Sequence, residues 1–362
     1  MFLKNISLFN FKNYENTTFE FSREINCIIG DNGLGKTNLL DAIHYLSLGK
    51  SMINTQDTFN IRHDELAFAV KGIFQKNDRS YKVSCGFQKS SKKTLMVNGE
   101  VCGRLSSHVG QFPVVVVGPQ DQDLVWGGSE FRRKLFDSML SQVDNVYLES
   151  LIRYSHYLTQ RNAYLKGLSE GKPWDELLMD HFNHELSAQG RVIFEKREKF
   201  LDSFNEIFRK YYKMFTRKDE RVEIKYKSGL RDHDFMQKLK ENIEKDRILQ
   251  RTTFGVHRDD YSFVLDDFPL KKYASQGQQK SFTIAVKLAK FEFMMNQCGY
   301  APLLLFDDLF DKLDENRTEA LLDLISKSPF EQVMITEAKY DRLQALLEKM
   351  GIAANMLKVD EN

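Results

Sequence analysis

Cysteine is scarce, and where it stands excludes two classes at once. Cys27, Cys85, Cys102 and Cys298 are scattered along 362 residues, with no C-x-x-C pair and no histidine at metal-ligand spacing. A disulfide scaffold and a zinc module are both excluded, and reduced thiols in a cytoplasm fit. Long apolar runs are missing too: no window reaches the roughly 18 apolar residues of a membrane span. The start, Met1-Phe2-Leu3-Lys4-Asn5-Ile6, has no basic stretch leading into an apolar core, so a cytoplasmic protein without a membrane partner is expected. Nor is there an excess of one charge, since 52 Lys+Arg face 51 Asp+Glu. Net charge therefore neither favours nor excludes a nucleic acid, and local clusters decide. Internal repeats and low-complexity linkers are absent. At 42% hydrophobic and 28% charged, the composition excludes disorder.

What is present divides into three stretches. Ile6–Phe11 and Thr17–Phe21 alternate apolar and polar residues, and Ile25–Ile29 is an apolar strand running into a glycine-rich turn. A helix is expected over Lys36–Leu48. Further strands are expected over Ala67–Phe74, Arg79–Gln88, Thr94–Val97 and Pro113–Val117, with Asn98-Gly99 as a hairpin turn. From about Ser129 to Arg251, Leu, Phe, Tyr, Lys, Arg and Glu recur at helical spacing, and Pro173 is the only proline. From Thr252 strand and helix alternate again, with Leu303–Phe306 and Gln332–Ile335 as buried parallel strands and a helix over Phe282–Met295. The expected organisation is an α/β lobe of mixed sheet made from both chain ends, residues 1–124 plus 252–362, with a helical lobe inserted at 125–251.

Three motifs carry chemistry. Gly30-Asp31-Asn32-Gly33-Leu34-Gly35-Lys36-Thr37, continued by Asn38, fits G-x-x-x-x-G-K-[ST] between a strand and a helix. Its glycines let successive N–H groups face the phosphates of ATP. Lys36 is expected on the β and γ phosphates and Thr37 on Mg²⁺. Leu303–Phe306 followed by Asp307-Asp308 places two carboxylates at the end of an apolar strand. Asp307 is expected to hold Mg²⁺ through its water shell, and Asp308 to orient or deprotonate the attacking water. The bland alternative makes Asp308 a helix cap. Third, Ser275-Gln276-Gly277-Gln278-Gln279-Lys280-Ser281 opens a helix whose N-terminus can hold a phosphate.

One P-loop already serves one nucleotide, so a second phosphate-binding edge calls for another. In this order, with Asp311-Lys312-Leu313-Asp314 after the acidic pair, the motifs resemble the ABC-type ATPase head of the SMC and Rad50 class. Within it the chain is similar to the RecF family. The residues carrying that likeness are Phe11-Lys12-Asn13-Tyr14, the Gly30 to Asn38 loop, Arg132-Arg133 with Phe136-Asp137, Gln160-Arg161-Asn162, Gly255-Val256-His257-Arg258-Asp259-Asp260 and the Ser275 to Ser281 run. The 125–251 insertion is too short, and lacks the sustained heptads, for a coiled-coil SMC protein. Val256, Lys280 and Gln120 depart from the family pattern, the last at the nucleotide-sensing Q-loop. The resemblance implies an ABC-type P-loop ATPase head carrying an inserted α-helical lobe, and a homodimer sandwiching two ATP molecules. Ser275 and Gly277, with Gln278, would contact the nucleotide held by the other chain. Thr336 stands where transporters place a histidine, which implies weak hydrolysis of ATP to ADP and phosphate, used as a switch. The implied work is DNA repair and replication, in the SOS response to DNA damage: gripping duplex DNA at single-strand/double-strand junctions, with RecR as partner and RecO and RecA engaged indirectly.

Independent support for DNA comes from local charge. Arg191–Arg251 carries 18 Lys+Arg against 12 Asp+Glu, and Lys50–Arg104 carries 10 against 5. Lys89, Lys92 and Lys93, on an expected hairpin, are candidate phosphate contacts, although for any single lysine a solvated face is the favoured reading. With no helix-turn-helix, zinc finger or RNP signature, any DNA would be held by backbone and shape. His257 lacks a nucleophile motif and reads as structural; Tyr154, Tyr157 and Tyr164 read as core. Two other readings stand beside this one: a monomeric P-loop kinase acting on a small molecule, and an ATPase head regulating a protein assembly without DNA.

Overall fold

Helix Lys36–Leu48 is apolar on nearly every side, with Leu39, Leu40, Ala42, Ile43, Tyr45 and Leu46 buried, so it needs cover all round. Two sheets supply it, and the helix touches strands of both. In this computed structural model, which describes residues 1–310, 313–327 and 329–360, one sheet is antiparallel and six-stranded. Its order is Tyr14–Glu20, Phe2–Phe11, Ala67–Lys76, Arg79–Gln88, Thr94–Val97, Glu100–Val101. The other is parallel and five-stranded, in the order Ala354–Lys358, Ile25–Ile29, Val333–Glu337, Leu303–Phe306, Val114–Val117. Its central strands Ile25–Ile29 and Leu303–Phe306 are buried at every residue, the pattern of a sheet covered on both faces.

Most elements lie where the hydrophobic pattern put them, down to Asn98-Gly99, whose positive φ values of 53° and 87° form the tight turn between Val97 and Glu100. Pro113 stays outside its strand, which begins at Val114. Of the family motif after the acidic pair, Asp311 and Lys312 lie outside the described residues. Asp314 is the N-cap of helix Glu315–Ile325, its carboxylate accepting from the Arg317 N–H at 2.9 Å.

The chain forms two compact units. One comprises Met1–Asp121, Tyr211–Lys218 and Ser281–Asn362; the other Gln122–Lys210 and Asp219–Lys280. Residues 252–280, grouped in the sequence with the α/β lobe, therefore cluster with the second unit. The cause is a strand inside the stretch read as dominated by helices: Val222–Lys227 alternates buried and more exposed residues and pairs antiparallel with Asp260–Leu265. Phe268–Pro269 adds a third strand to that sheet, and the rest of the second unit is mainly helical, with Ser129–Val143, Asn145–Ser169 and most of Glu176–Thr216. Phe136 sits in its core, with ring centroids of Phe200, Phe204 and Tyr261 at 5.5, 5.4 and 4.2 Å. Tyr154 is core as expected, whereas Tyr157 and Tyr164 are only half-buried.

Candidate nucleotide site

The loop Gly30–Thr37 leaves the end of a buried strand and turns into the apolar helix without a side-chain cap. Its glycines are required by geometry. Gly33 and Gly35 have φ of 92° and 108°, the left-handed region that side chains avoid. A Cβ on Gly35 would stand 2.4 Å from the Asn13 amide, and one on Gly30 would stand 2.6 Å from the Val359 carbonyl oxygen. The loop is braced from outside: Asn13 Nδ2 donates to the Leu34 carbonyl at 2.9 Å, Asn38 Nδ2 donates to Asn13 Oδ1 at 2.7 Å, and the Tyr14 hydroxyl donates to the Gly35 carbonyl at 3.1 Å. Asp31, Asn32 and Gly33 are exposed at the tip.

Lys36 is buried, and its Nζ donates back across the loop to the carbonyls of Gly30 and Asp31 at 2.7 and 3.1 Å. The ammonium is thus held inside the curl, where an anionic oxygen can replace the carbonyls. Thr37 Oγ1 donates to Asp307 Oδ1 at 2.8 Å. The P-loop and the acidic strand end, 270 residues apart in the chain, meet at this bond. Burial raises the Asp307 carboxyl above its ordinary range, and the neighbouring Asp308 adds to the rise. Such a carboxylate gains from a cation. A hydroxyl next to a buried carboxylate is an all-oxygen donor pair suited to Mg²⁺.

Asp308 follows at φ 41°. Its backbone N–H donates to Thr336 Oγ1 at 2.8 Å, and that same hydroxyl lies 3.1 Å from Asp307 Oδ1 and 3.4 Å from Asp308 Oδ1. Fully buried on the adjacent strand, Thr336 ties both carboxylates together. Gly118 packs beside them, its Cβ direction 3.3 Å from Asp307 Cβ. Asp121 holds that turn, accepting from the Gly118 N–H at 2.9 Å and pairing with Lys287 at 2.6 Å.

Gly30 to Asn38, Asp307 and Asp308 are thus brought together within the first unit. Ser275, Gly277 and Gln278 belong to the second. There Ser275 and Gln278 form a reciprocal capping box: the Gln278 N–H donates to Ser275 Oγ at 3.2 Å, and the Ser275 N–H donates to Gln278 Oε1 at 2.8 Å. The box sets the start of helix Gln276–Cys298 and leaves Ser275 exposed. Sequence reasoning missed the bracing role of Asn13 and Tyr14. Their signal was the run Phe11-Lys12-Asn13-Tyr14, whose Lys12 has φ 55° and pairs with the fully buried Asp41 at 2.5 Å.

The remaining family motifs turn out to be architectural. Arg132 is bidentate to Asp260 at 2.8 and 3.0 Å, and Arg133 donates to the Asp259 carbonyl at 2.6 Å. Buried Arg197 holds Asp137 and Asp259 at 2.8 and 3.3 Å. Arg161, fully buried, holds Asp246 at 2.7 Å, Thr252 at 2.8 Å and Asn183 at 3.0 Å. His257 is satisfied on both nitrogens, by the Tyr154 hydroxyl at 2.7 Å and the Thr252 carbonyl at 3.0 Å. The carbonyl requires an N–H on Nε2, so Nδ1 accepts from Tyr154 in the neutral ring. Burial pushes its pKa down to about 4.

Comparison with known proteins agrees with this geometry. The model of the RecF/RecN/SMC N terminal domain matches residues 2–359. Proteins named DNA replication and repair protein RecF are 44% identical in Flavobacterium johnsoniae, over 96% of this chain and 97% of that one, and 40% identical in Bacteroides thetaiotaomicron, over 100% and 97%. A solved structure described as the recombination mediator protein RecF-ATPrS in the RecFOR pathway superposes with a TM-score of 0.89 at 27% identity, covering 99% of this chain and 96% of that one. The Smc head domain of Pyrococcus furiosus shares the fold alone, with a TM-score of 0.55 at 16% identity and coverage of 95% and 91%. The fold is thus that of an ABC-type ATPase head, and the chain belongs to the RecF family.

Proposed function

We propose that this chain is an ATP-dependent DNA-binding switch of recombinational repair and replication. Two copies close on two ATP molecules and grip duplex DNA beside a single-stranded gap, and hydrolysis opens them. The observation that carries the reading is the bond between Thr37 and Asp307, which completes a P-loop site with a metal-side carboxylate. Solved relatives described as RecF-ATPrS and RecF-ATP support the nucleotide, and their RecFOR setting supports RecR as partner with RecO engaged indirectly; the reading adds RecA, also engaged indirectly.

In this reading Gly30 to Asn38 wrap the phosphates and Lys36 exchanges its two carbonyl partners for phosphate oxygens. Thr37 and, through water, Asp307 hold Mg²⁺, which supplies neutralisation of phosphate charge. Asp308 orients or deprotonates the water. Its alignment depends on Thr336, a hydroxyl that cannot itself act as a base at neutral pH, which fits slow turnover. Ser275, Gly277 and Gln278 contact the nucleotide of the second copy. Among the described residues no helix is long and apolar enough to cross a membrane, in keeping with work in the cytoplasm.

Lys89 and Lys93 are poor candidates for DNA. Lys89 donates to the Glu65 carbonyl at 3.0 Å; Lys93 pairs with Asp57 at 2.9 Å and donates to the Gly49 carbonyl at 2.6 Å. Lys92 is exposed and unengaged among the described residues. The test is fluorescence anisotropy of a labelled gapped duplex. Tight, salt-sensitive binding with ATP and weak binding with ADP is expected. Equal binding in both nucleotides would remove the switch, and turnover stimulated by a metabolite but indifferent to DNA would favour a small-molecule kinase.

A further inference from the structure

Of the family motif Gly255 to Asp260, the ion-pair network and the core absorb all but Arg258. Its side chain is exposed and makes no hydrogen bond or ion pair among the described residues, while its backbone N–H donates to the Gly255 carbonyl at 2.8 Å. It lines a notch of about 470 Å³ in the second unit. The opposite wall is the end of strand Val222–Lys227 and the turn Ser228–Arg231. Lys227 there is likewise exposed and unengaged, while Arg231 is held at the rim by Glu198 at 2.6 Å. Two carboxylates also line the notch, but each is paired with an arginine that does not: Asp260 with Arg132, and Asp259 with Arg197, which it shares with Asp137. The free charge of the notch is therefore positive, with Lys227 and Arg258 uncommitted.

We infer that this notch binds a backbone phosphate of DNA, a contact that rests on the DNA-binding reading above. Two uncommitted cations, Lys227 and Arg258, in one notch suit a phosphodiester flanked by further phosphates. A second notch of about 280 Å³ shares Leu230 with the first, but its Arg191 is paired with Asp234 at 3.3 Å and Glu195 lines it too, so the uncommitted cations are those of the first notch. The exposed-side aromatic, Phe254, is engaged edge-on by Phe235 and His233 at 5.7 and 6.2 Å. It is not free to stack on a base, so the contact reads backbone and not sequence.

The experiment measures affinity for a labelled gapped duplex against salt, with ATP present, for the wild-type chain, Arg258→Ala and Arg258→Lys. Loss of one phosphate contact lowers the log–log salt slope by about 1 and the affinity roughly ten-fold at about 0.1 M salt, equally for unrelated sequences. Arg258→Ala is expected to show both changes, with unaltered ATP affinity and melting temperature, and Arg258→Lys to keep the slope. An unchanged slope in Arg258→Ala, with wild type binding normally, overturns the site and leaves the DNA reading standing. A fall in melting temperature assigns Arg258 to the scaffold and also overturns it. Absence of wild-type binding overturns the DNA reading, and this contact with it.

Discussion

A single hydroxyl, that of Thr336, receives the Asp308 N–H and reaches toward both carboxylates of the site. Thr336→Val preserves shape and strips that hydroxyl, leaving a buried donor and carboxylate short of a partner. A loss of about 1–3 kcal/mol in urea-unfolding stability is expected, with ATP affinity retained and turnover reduced; a variant that hydrolyses ATP at the wild-type rate would remove Thr336 from the alignment of Asp308. Gly35→Ala is predicted to be more severe for binding, because φ of 108° and the Asn13 amide at 2.4 Å both oppose a Cβ. Calorimetric titration should show no ATP uptake, whereas near-normal affinity would mean that the loop tolerates the strain. The phosphate loop was legible in the sequence because its chemistry is local, eight contiguous residues between a strand and a helix. Thr336 could be placed but not given its bonds, since those depend on strand register across 28 residues. Asp121, reached only by folding against Lys287, was equally out of view.

Among the elements, apolar runs such as Ile25–Ile29 and Leu303–Phe306 and the helix Lys36–Leu48 were readable because burial on all sides leaves an unmistakable pattern. Strand Val222–Lys227 was missed: its alternation is plain, yet three exposed or half-exposed charges and a helical context hid it. That strand anchors the loop carrying His257, which gives the loop a pH dependence. The folded ring stays neutral down to about pH 4, whereas an unfolded histidine takes its proton near 6.5. Between those values the unfolded chain binds more protons, so stability falls as pH drops through that window and is regained above it. The share of His257 is on the order of 3 kcal/mol by pH 4. His44, also pushed down to about 4, adds a slope of the same sign. His257→Gln should flatten melting temperature against pH between 6.5 and 4 without abolishing it; an unchanged profile would show the ring to be free to titrate. At the helix start, Ser275→Ala removes one arm of the capping box and should cost about 1 kcal/mol, read as a lower urea midpoint. No change in that midpoint would deny the cap.

For the whole molecule, the nucleotide is read as the contact between two copies, so that its γ phosphate matters more for closure than as a fuel. The P-loop set alone is compatible with a kinase that works as a monomer. What separates the readings is Ser275-Gln276-Gly277-Gln278 at a helix start, with Ser275 and Gln276 exposed and with no work to do on its own P-loop if each copy serves its partner. Family membership was readable from motif order, and so was the structural part of His257, while the fate of the other motifs was not: Arg132, Asp137 and Arg161 hold the second unit together, a role that only their partners reveal. The most direct test is sedimentation velocity of the wild-type chain, Lys36→Arg and Ser275→Arg, each with ATP and with ADP. A dimer formed by wild type with ATP alone, lost in Lys36→Arg through weakened nucleotide binding and lost in Ser275→Arg with ATP still bound, is the predicted result. An ATP-dependent dimer that survives Ser275→Arg unchanged would contradict the sandwich.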